Sequence, residues 1–180
     1  MLTMRHNQRG FSLIELIVGM VVIAILVSAG APNLMTWIQN TQLRTAAETL
    51  SAGVQLARAE AVRRNTSVFF SLSGTANVDS SWTVGCTVPS GVDCPATIQS
   101  RAGTEGTSKA VVNANLASVT FTGLGRASIA APMAISITNP TGGTCQPTGP
   151  MRCLDVRVSQ GGQILMCNPA FQRSTNPQGC

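Results

Sequence analysis

The N-terminal part of the chain divides sharply into a polar segment and an apolar segment. Residues 1–10 are mostly polar and carry Arg5 and Arg9, whereas residues 11–31 hold a single charge, Glu15. A helix over residues 11–31, at ~1.5 Å per residue, spans roughly 31 Å, which is about the thickness of one hydrocarbon core. The pattern therefore predicts a membrane-spanning helix over residues 11–31, with a carboxylate close to its start.

A second helical pattern follows Pro32, which predicts a kink or a turn of unwinding in the helix. Apolar residues then recur at alternating steps of four and three, which is the spacing of one helix face. The members of this apolar stripe are Leu43, Ala47, Leu50, Val54, Ala57 and Ala61. The stripe predicts an amphipathic helix over residues 32–65, ending near Asn65 and packed against the protein's own sheet.

After residue 65 the hydrophobic period changes from that of a helix to that of strands. Ala134, Ser136 and Thr138 alternate with apolar residues, as in a half-buried strand, and Gly161-Gly162 favours a hairpin. The predicted strands cover residues 67–73, 82–88, 111–112, 118–122, 126–129, 133–138, 151–159 and 163–167. Residues 66–180 therefore form a β-rich head, and the fold class is α+β, with one long helix packed on an antiparallel sheet.

All six cysteines lie after residue 85, beyond the predicted membrane segment. They are Cys86, Cys94, Cys145, Cys153, Cys167 and Cys180. An even number of cysteines in an exported domain predicts disulfides formed in an oxidising compartment. Six cysteines allow 15 pairings, of which the simplest is local: Cys86–Cys94, Cys145–Cys153 and Cys167–Cys180. The sequence has no C-x-x-C, and its one histidine, His6, lies in the polar leader, so we predict no metal site.

Charge and composition argue against a catalytic role or a dedicated nucleic-acid binder. The net charge is +5, and removing Arg5 and Arg9 with the leader leaves +3, a mild imbalance. Beyond residue 10 there is no histidine to activate a serine or cysteine nucleophile. No phosphate-binding loop is present. We therefore predict a protein that is not an enzyme and needs no cofactor.

The leader differs from that of a secretory signal peptide. In such a peptide the small-residue cleavage site follows the apolar stretch, whereas here Gly10 precedes it. Cleavage after Gly10 leaves the apolar segment on the mature chain, and the arginines of the leader keep it cytoplasmic. The predicted product is a single-pass inner-membrane protein whose C-terminal domain lies in the periplasm.

The sequence from Arg9 to Leu16, RGFSLIEL, resembles the class III signal of type IV pilins and type II secretion pseudopilins. The resemblance implies cleavage by prepilin peptidase between Gly10 and Phe11, followed by N-methylation of Phe11. It also implies that Glu15 sets the register of assembly. In a filament of parallel helices, the amino group of a neighbouring Phe11 can approach this carboxylate, and pairing in a water-poor environment favours both charges.

Within that group the chain resembles the FimT/FimU minor pilins, which are related to pseudopilin H of type II secretion. The stretches that carry this resemblance are residues 57–65, 119–121, Gly125-Arg126, residues 166–169 and Cys180. It implies a pilin fold and a minor pilin that enters a type IV pilus or primes its assembly, with other pilins and prepilin peptidase as partners. A minor pseudopilin of type II secretion is the alternative, because both share the helix and the signal.

Some FimT proteins are similar but bind DNA through a Gly-Arg-x-Arg motif before the penultimate cysteine. The matching window here starts at Gly162 and has Gln163 and Leu165 where that motif has arginines. Phosphate binding needs clustered cations that release counterions. Arg152, Arg157 and Arg173 are near in sequence, but strand alternation does not place them on one surface. DNA binding is therefore a second alternative that we predict to be weak.

Overall fold

A computed structural model describes residues 11–180, and for residues 29–33 it describes the helical backbone alone. The predicted leader, including Gly10, lies outside the described residues. One helix, α1, runs from Leu13 to Arg64. The chain divides into two compact units, with the boundary between Met35 and Thr36, and each unit is described by itself.

The first unit is the beginning of helix α1, and its side chains are uncovered. Every residue from Phe11 to Ser28 is exposed, and most of them are large and apolar. In the part of the chain that the structure describes, no helix is both long and apolar enough for a membrane span.

Helix α1 continues without interruption through Pro32. The predicted turn of unwinding at this proline is therefore wrong. A proline removes only one backbone donor. The remaining hydrogen bonds maintain a single helix on both sides of it.

The second unit contains the rest of α1, whose apolar stripe is buried. All six predicted members of the stripe are fully buried, and so is Ala46. The helix ends at Arg64 because Asn65 adopts a left-handed conformation, with φ of 50°. The Asn65 amide donates to the carbonyl of Val62 and the Thr66 amide to that of Ala61. This is a Schellman arrangement with asparagine in place of the usual glycine.

Eight strands follow the helix. They are β1 Val68–Leu72, β2 Trp82–Cys86, β3 Gln99–Arg101, β4 Val111–Ala114, β5 Ser118–Phe121, β6 Met133–Thr138, β7 Leu154–Val158 and β8 Ile164–Cys167. The strands form two antiparallel four-stranded sheets rather than one, with strand orders β3-β2-β1-β5 and β4-β6-β7-β8. The α+β fold, a long helix packed on antiparallel sheet, is confirmed.

Two details of the strand prediction are wrong. The segment 126–129 is not a strand, since only Ala127 forms an isolated bridge, to Phe121. The amide of Ala127 donates to Gln160 and that of Ser128 to Thr120, so the segment divides its hydrogen bonds between the two sheets. Strand β3 was not predicted, because it is a short edge strand with no buried side chain.

The core lies between the helix and the inner faces of both sheets. In β1, Val68, Phe70 and Leu72 are buried and alternate with half-buried residues. The rings of Phe70 and Trp82 lie 6.1 Å apart between centroids. The chain has five phenylalanines, two tryptophans and no tyrosine, so aliphatic residues and close backbone packing provide most of the burial.

Three disulfides close loops at the edges of the head. They join Cys86 to Cys94, Cys145 to Cys153 and Cys167 to Cys180, with Cα–Cα distances of 5.7, 5.5 and 5.1 Å. No cysteine of the described chain is free. Each loop is short, so each bond contributes about 2–3 kcal/mol in the chain-entropy model.

Gly53 allows the helix to approach the aromatic pair. A Cβ at this position lies 2.9 Å from ring atoms of both Phe70 and Trp82, which is closer than carbon atoms pack. We expect Gly53→Ala to destabilise the protein although alanine favours helix by ~0.5–1 kcal/mol. Overpacking a core costs about 1–3 kcal/mol, so the expected net change is a loss of roughly 1–2 kcal/mol in denaturant unfolding.

The matched control is Ala52→Gly, at an exposed position one residue earlier on the same helix. This variant measures the helix propensity term alone, about 0.5–1 kcal/mol. An unchanged or higher stability of Gly53→Ala contradicts the proposed close packing.

Candidate assembly site

The start of helix α1 is a capping box built from Ser12 and Glu15. The Glu15 amide donates to Ser12 Oγ at 3.3 Å, while the Ser12 amide and Oγ donate to Glu15 Oε2 at 3.2 and 3.3 Å. These bonds satisfy amides that a helix N-terminus otherwise leaves without partners. The spacing S-x-x-E is the sequence signature of this motif, so Glu15 has a structural role at the start of the helix besides its charge.

The capping box fixes Glu15 while leaving its charge without a cationic partner. Both bonds from Ser12 use Oε2. Among residues 11–180, no basic side chain forms an ion pair with Glu15. The carboxylate is therefore held in one place, on an exposed apolar helix, by bonds to Oε2.

The other end of α1 carries a compact ion-pair cluster. Glu60 Oε2 lies 2.7 Å from Arg63 Nη2 and 2.7 Å from Arg64 Nε, so the predicted pair of Glu60 and Arg64 is present. The hydrogen bond from Arg63 is the main reason that the pKa of Glu60 is lowered. Arg64 also donates to the backbone carbonyl of Asp93. The cluster joins the end of the helix to the loop that follows β2.

The window of the Gly-Arg-x-Arg motif lies at the β7–β8 hairpin. Gly162 has φ of 81°, and a Cβ added there would clash with the carbonyl oxygen of Gly125, so the glycine is required by the fold itself. Gln163 is exposed and Leu165 is half-buried. Neither side chain is a cation, so the hairpin presents no charged pair to a phosphate backbone.

Three arginines lie near this window in the sequence. Arg157 forms an ion pair with Asp155 at 3.2 Å. Arg152 precedes β7 by two residues and is separated from Arg157 by five residues of extended chain, or roughly 16 Å. Arg173 lies in the exposed C-terminal tail. Of the three, Arg157 is already paired with a carboxylate, and none lies within the motif window itself.

Groups that could support catalysis or metal binding are also dispersed. Within the described residues, no three histidine, cysteine, aspartate or glutamate side chains come together as a metal site. Asp155 is the one buried carboxylate in the described head, and it accepts from Ser136 Oγ at 2.9 Å. Its other oxygen accepts from Arg157 Nη2 at 3.2 Å, so Asp155 joins neighbouring residues of the sheet.

The chain has a carboxylate in a capping box at the start of an exposed apolar helix, and a disulfide-bonded head of two sheets follows. These features are those of a subunit of the type IV pilin class. Residues 5–31 match the prokaryotic N-terminal methylation motif. Residues 46–162, more than half of the chain, match the family described as type II transport protein GspH. The chain belongs to the GspH family.

Solved structures agree with this fold. Crystal structures of the type IV minor pilin FimU from Pseudomonas aeruginosa match in two crystal forms. In space group P21 the identity is 20% with a TM-score of 0.57, over 80% of this chain and 98% of that chain. In space group P65 the values are 21% and 0.54, over 76% and 98%. No curated protein matches the chain.

The capping box predicts the effect of removing the Ser12 hydroxyl. Loss of an N-cap side chain costs about 1 kcal/mol, so we expect the first turn of α1 in Ser12→Ala to open about fivefold more often. Amide hydrogen exchange at residues 13–16 of the full chain in detergent measures this opening. Ser12→Thr keeps the hydroxyl and is the control, and equal exchange in Ser12→Ala and the parent protein refutes the motif.

Proposed function

We propose that this chain is a minor pilin that prepilin peptidase processes and that enters, or primes the assembly of, a type IV pilus. The observation that carries the proposal is the combination of the N-terminal methylation motif with a pilin-type head. A chain built only to span a membrane has no need of a carboxylate held by a capping box at the start of its apolar helix. An assembling helix uses that carboxylate for register.

We assign the processing site to Gly10 and Phe11. Cleavage after Gly10 leaves Phe11 as the N-terminal residue, and N-methylation of Phe11 follows. Glycine is required before the cut because a peptidase must approach the backbone closely and a β-carbon obstructs this approach. Phe11 is exposed in the structure, which is consistent with a terminus that other molecules reach.

We assign the assembly role to Glu15. A charged carboxylate on an apolar helix is costly in a water-poor environment, so it needs a positive partner when helices pack together. The amino group of Phe11 in a neighbouring subunit has the right charge and lies near the same level of a parallel helix. This pairing favours one register of adjacent helices over others, since a shifted register leaves both charges unpaired.

These assignments imply that the protein has one location before assembly and another afterwards. Before assembly, residues 11–31 anchor the chain in the inner membrane as a single span with residues 1–10 in the cytoplasm. Residues 32–65 continue the helix, and residues 66–180 form the head in the periplasm. After assembly the head lies in a pilus at the cell surface. The role is structural, and we propose no catalytic activity and no cofactor.

The second candidate function is that of a minor pseudopilin of type II secretion. The observation that favours it is the description of the matched family, a type II transport protein. Deletion of the gene separates the two roles. Loss of surface pili with normal export of secreted enzymes supports the pilus, whereas normal pili with failed export supports the pseudopilin.

The processing assignment predicts that Gly10→Val leaves the precursor uncut. We expect a full-length chain in the inner membrane with no methylated Phe11, and Gly10→Ala with intermediate processing because its side chain is smaller. Mass spectrometry of the N-terminal peptide distinguishes the forms. Normal trimming and methylation in Gly10→Val is incompatible with the assignment.

A DNA-capture role is a third possibility, which the head surface does not favour. We expect residues 36–180 to bind duplex DNA weakly or not at all at physiological salt, because non-specific binding depends on counterion release by clustered cations. Restoring the arginines with Gln163→Arg and Leu165→Arg should raise affinity, and the gain should shrink as salt rises. Fluorescence titration at two salt concentrations measures both effects.

The control for that titration is Gln163→Asn with Leu165→Met, which changes the same positions without adding charge. Micromolar or tighter binding by the unmodified head, lost in Arg152→Ala or Arg173→Ala, places DNA capture ahead of the structural role.

A further inference from the structure

The two sheets end in four outer strands, and three of these are protected against pairing with another chain. Residues 75–78 pair with β4, and residues 127–128 pair with β5. Strand β3 has only 3 residues and ends in Arg101, a charged residue. Covering segments, short length and charge are the usual means by which native proteins protect a sheet edge.

The outer edge of β8 lacks these protections. Strand β8 is the last strand of its sheet, and Ile164–Cys167 contains no proline and no charged residue. Within residues 11–180, the C-terminal tail reaches this edge only beyond the strand, where the Asn168 amide donates to the Gln178 carbonyl at 2.7 Å. An edge of this kind is a template for a further strand.

The strand register identifies the backbone groups that point outward from β8. The Ser159 amide donates to the Gln163 carbonyl at 2.9 Å, so the backbone of Gln163 faces the side of β7. Because such bonds alternate along an antiparallel pair, the N–H and C=O groups of Ile164 and Met166 point away from β7. The outward bond of Asn168 fits the same alternation. Ile164 and Met166 therefore offer two donors and two acceptors to an added strand.

The side chains of the same two residues are incompletely covered. Met166 and Ile164 pair across the sheet with Val156 and Val158, which are fully buried. Residues opposite one another in a sheet share a face, yet Met166 is 39% exposed and Ile164 is half-buried. A strand added beside β8 would cover both side chains.

Space for the side chains of an added strand lies between β8 and helix α1. A cavity of about 570 Å³ is lined by Ile164 together with Ala59 and Val62 of the helix. A second cavity, with a volume of about 470 Å³, has Met166 in a mainly polar lining. The first cavity suits an apolar side chain, and the second suits a polar or charged one.

The charged residues that line the cavities beside β8 are all arginines. They are Arg58 and Arg63 near Ile164, and Arg44 and Arg152 near Met166. Arg44 and Arg63 pair with glutamates of the same helix. Arg58 and Arg152 form no ion pair within the described part of the chain. Two unpaired positive charges at a strand edge favour an acidic partner.

This chain contains no segment that fits the description of such a partner. Beyond residue 65 it has four carboxylates, which are widely separated in the sequence: Asp79, Asp93, Glu105 and Asp155. Asp155 already belongs to β7, the neighbour of β8. A second copy of the chain is therefore a poor match for the edge, and a different protein is the better one.

We propose that an extended, acidic segment of another protein adds to the edge of β8 as a fifth strand of that sheet. Its backbone pairs with Ile164 and Met166, and its carboxylates approach Arg58 and Arg152. In strand addition, main-chain bonds supply affinity and alternate side chains supply specificity. The partner is a different subunit of the proposed filament, and in this respect the inference rests on the proposed function.

The test uses the full chain in detergent and a labelled peptide of about eight residues, in which valine alternates with glutamate and threonine. We expect saturable binding in fluorescence anisotropy. In the complex, amide hydrogen exchange should slow at Ile164 and Met166 and stay unchanged in strand β3. A peptide with N-methyl groups on its central amides should bind roughly tenfold more weakly, because it has lost its backbone donors. Lysine in place of glutamate should weaken binding to a similar extent.

A matched pair of variants tests the edge itself. Met166→Pro removes an outward N–H at an edge position where proline is tolerated, and it should weaken peptide binding roughly tenfold. Met166→Leu keeps the N–H and should bind like the parent chain. Thiol labelling under denaturing, non-reducing conditions checks that both variants keep their three disulfides. If Met166→Pro loses a disulfide, the modified peptides decide the question on the parent chain.

Several results overturn the proposal. They are the absence of saturable binding, equal affinity for the N-methylated or lysine peptide, slowed exchange elsewhere than in β8, and full binding by a folded Met166→Pro. Slowed exchange of Ile164 and Met166 without peptide, increasing with protein concentration, assigns the edge to a second copy and also overturns it. The assay needs no filament, so its failure leaves the proposed function intact, and methylation of Phe11 tests that function separately.

Discussion

The apolar surface of helix α1 extends farther than the protein's own sheets can cover. From Leu43 to Ala61 the helix buries its stripe against the head, whereas from Phe11 to Ser28 every side chain is exposed. Exposed apolar surface on this scale marks a site of interaction with a membrane or another chain. The two parts of one helix therefore have different roles: the second organises the head, and the first supplies the surface through which the subunit joins other molecules.

Glu15 restricts which surfaces can cover the exposed segment of α1 from Phe11 to Ser28. Its carboxylate is held by Ser12 and forms no ion pair with a cation among residues 11–180. A lipid environment alone provides no specific partner, and desolvation of an unpaired charge is unfavourable. In the assembly that we propose, parallel copies of the mature helix provide one, since each begins with an amino group. That assembly would solve the physical problem created by the sequence and would link the proposed cleavage before Phe11 to the structure of a filament.

The head meets a different constraint, which is a shortage of large side chains. Gly53 brings the helix against Phe70 and Trp82, and three disulfides close loops that the small core does not fix. The same economy leaves polar, irregular loops at the ends of the sheets. Loops of this kind are where binding surfaces are most often found.

Local patterns in the sequence predicted much of this architecture, and long-range arrangement accounts for what they missed. The stripe ending at Ala61 and the alternation in β6 are set by local periodicity. The division into two sheets depends on which distant strands pair, and strand β3 has no buried residue to mark it. The capping box has a local signature, S-x-x-E, although the charge of Glu15 is the more prominent feature of this segment. The cavity lined by Trp37 and Arg152 joins residues more than a hundred positions apart, so no local pattern could indicate it.

The most direct test of the central claim is the recovery of Glu15→Gln in sheared filaments. Glutamine keeps the capping box and nearly the same size, so the substitution removes the charge and little else. We predict that Glu15→Gln is cleaved and methylated at Phe11 like the parent chain, yet is at least tenfold depleted from the filament fraction in quantitative mass spectrometry. Incorporation equal to that of the parent chain, at equal methylation, contradicts the account.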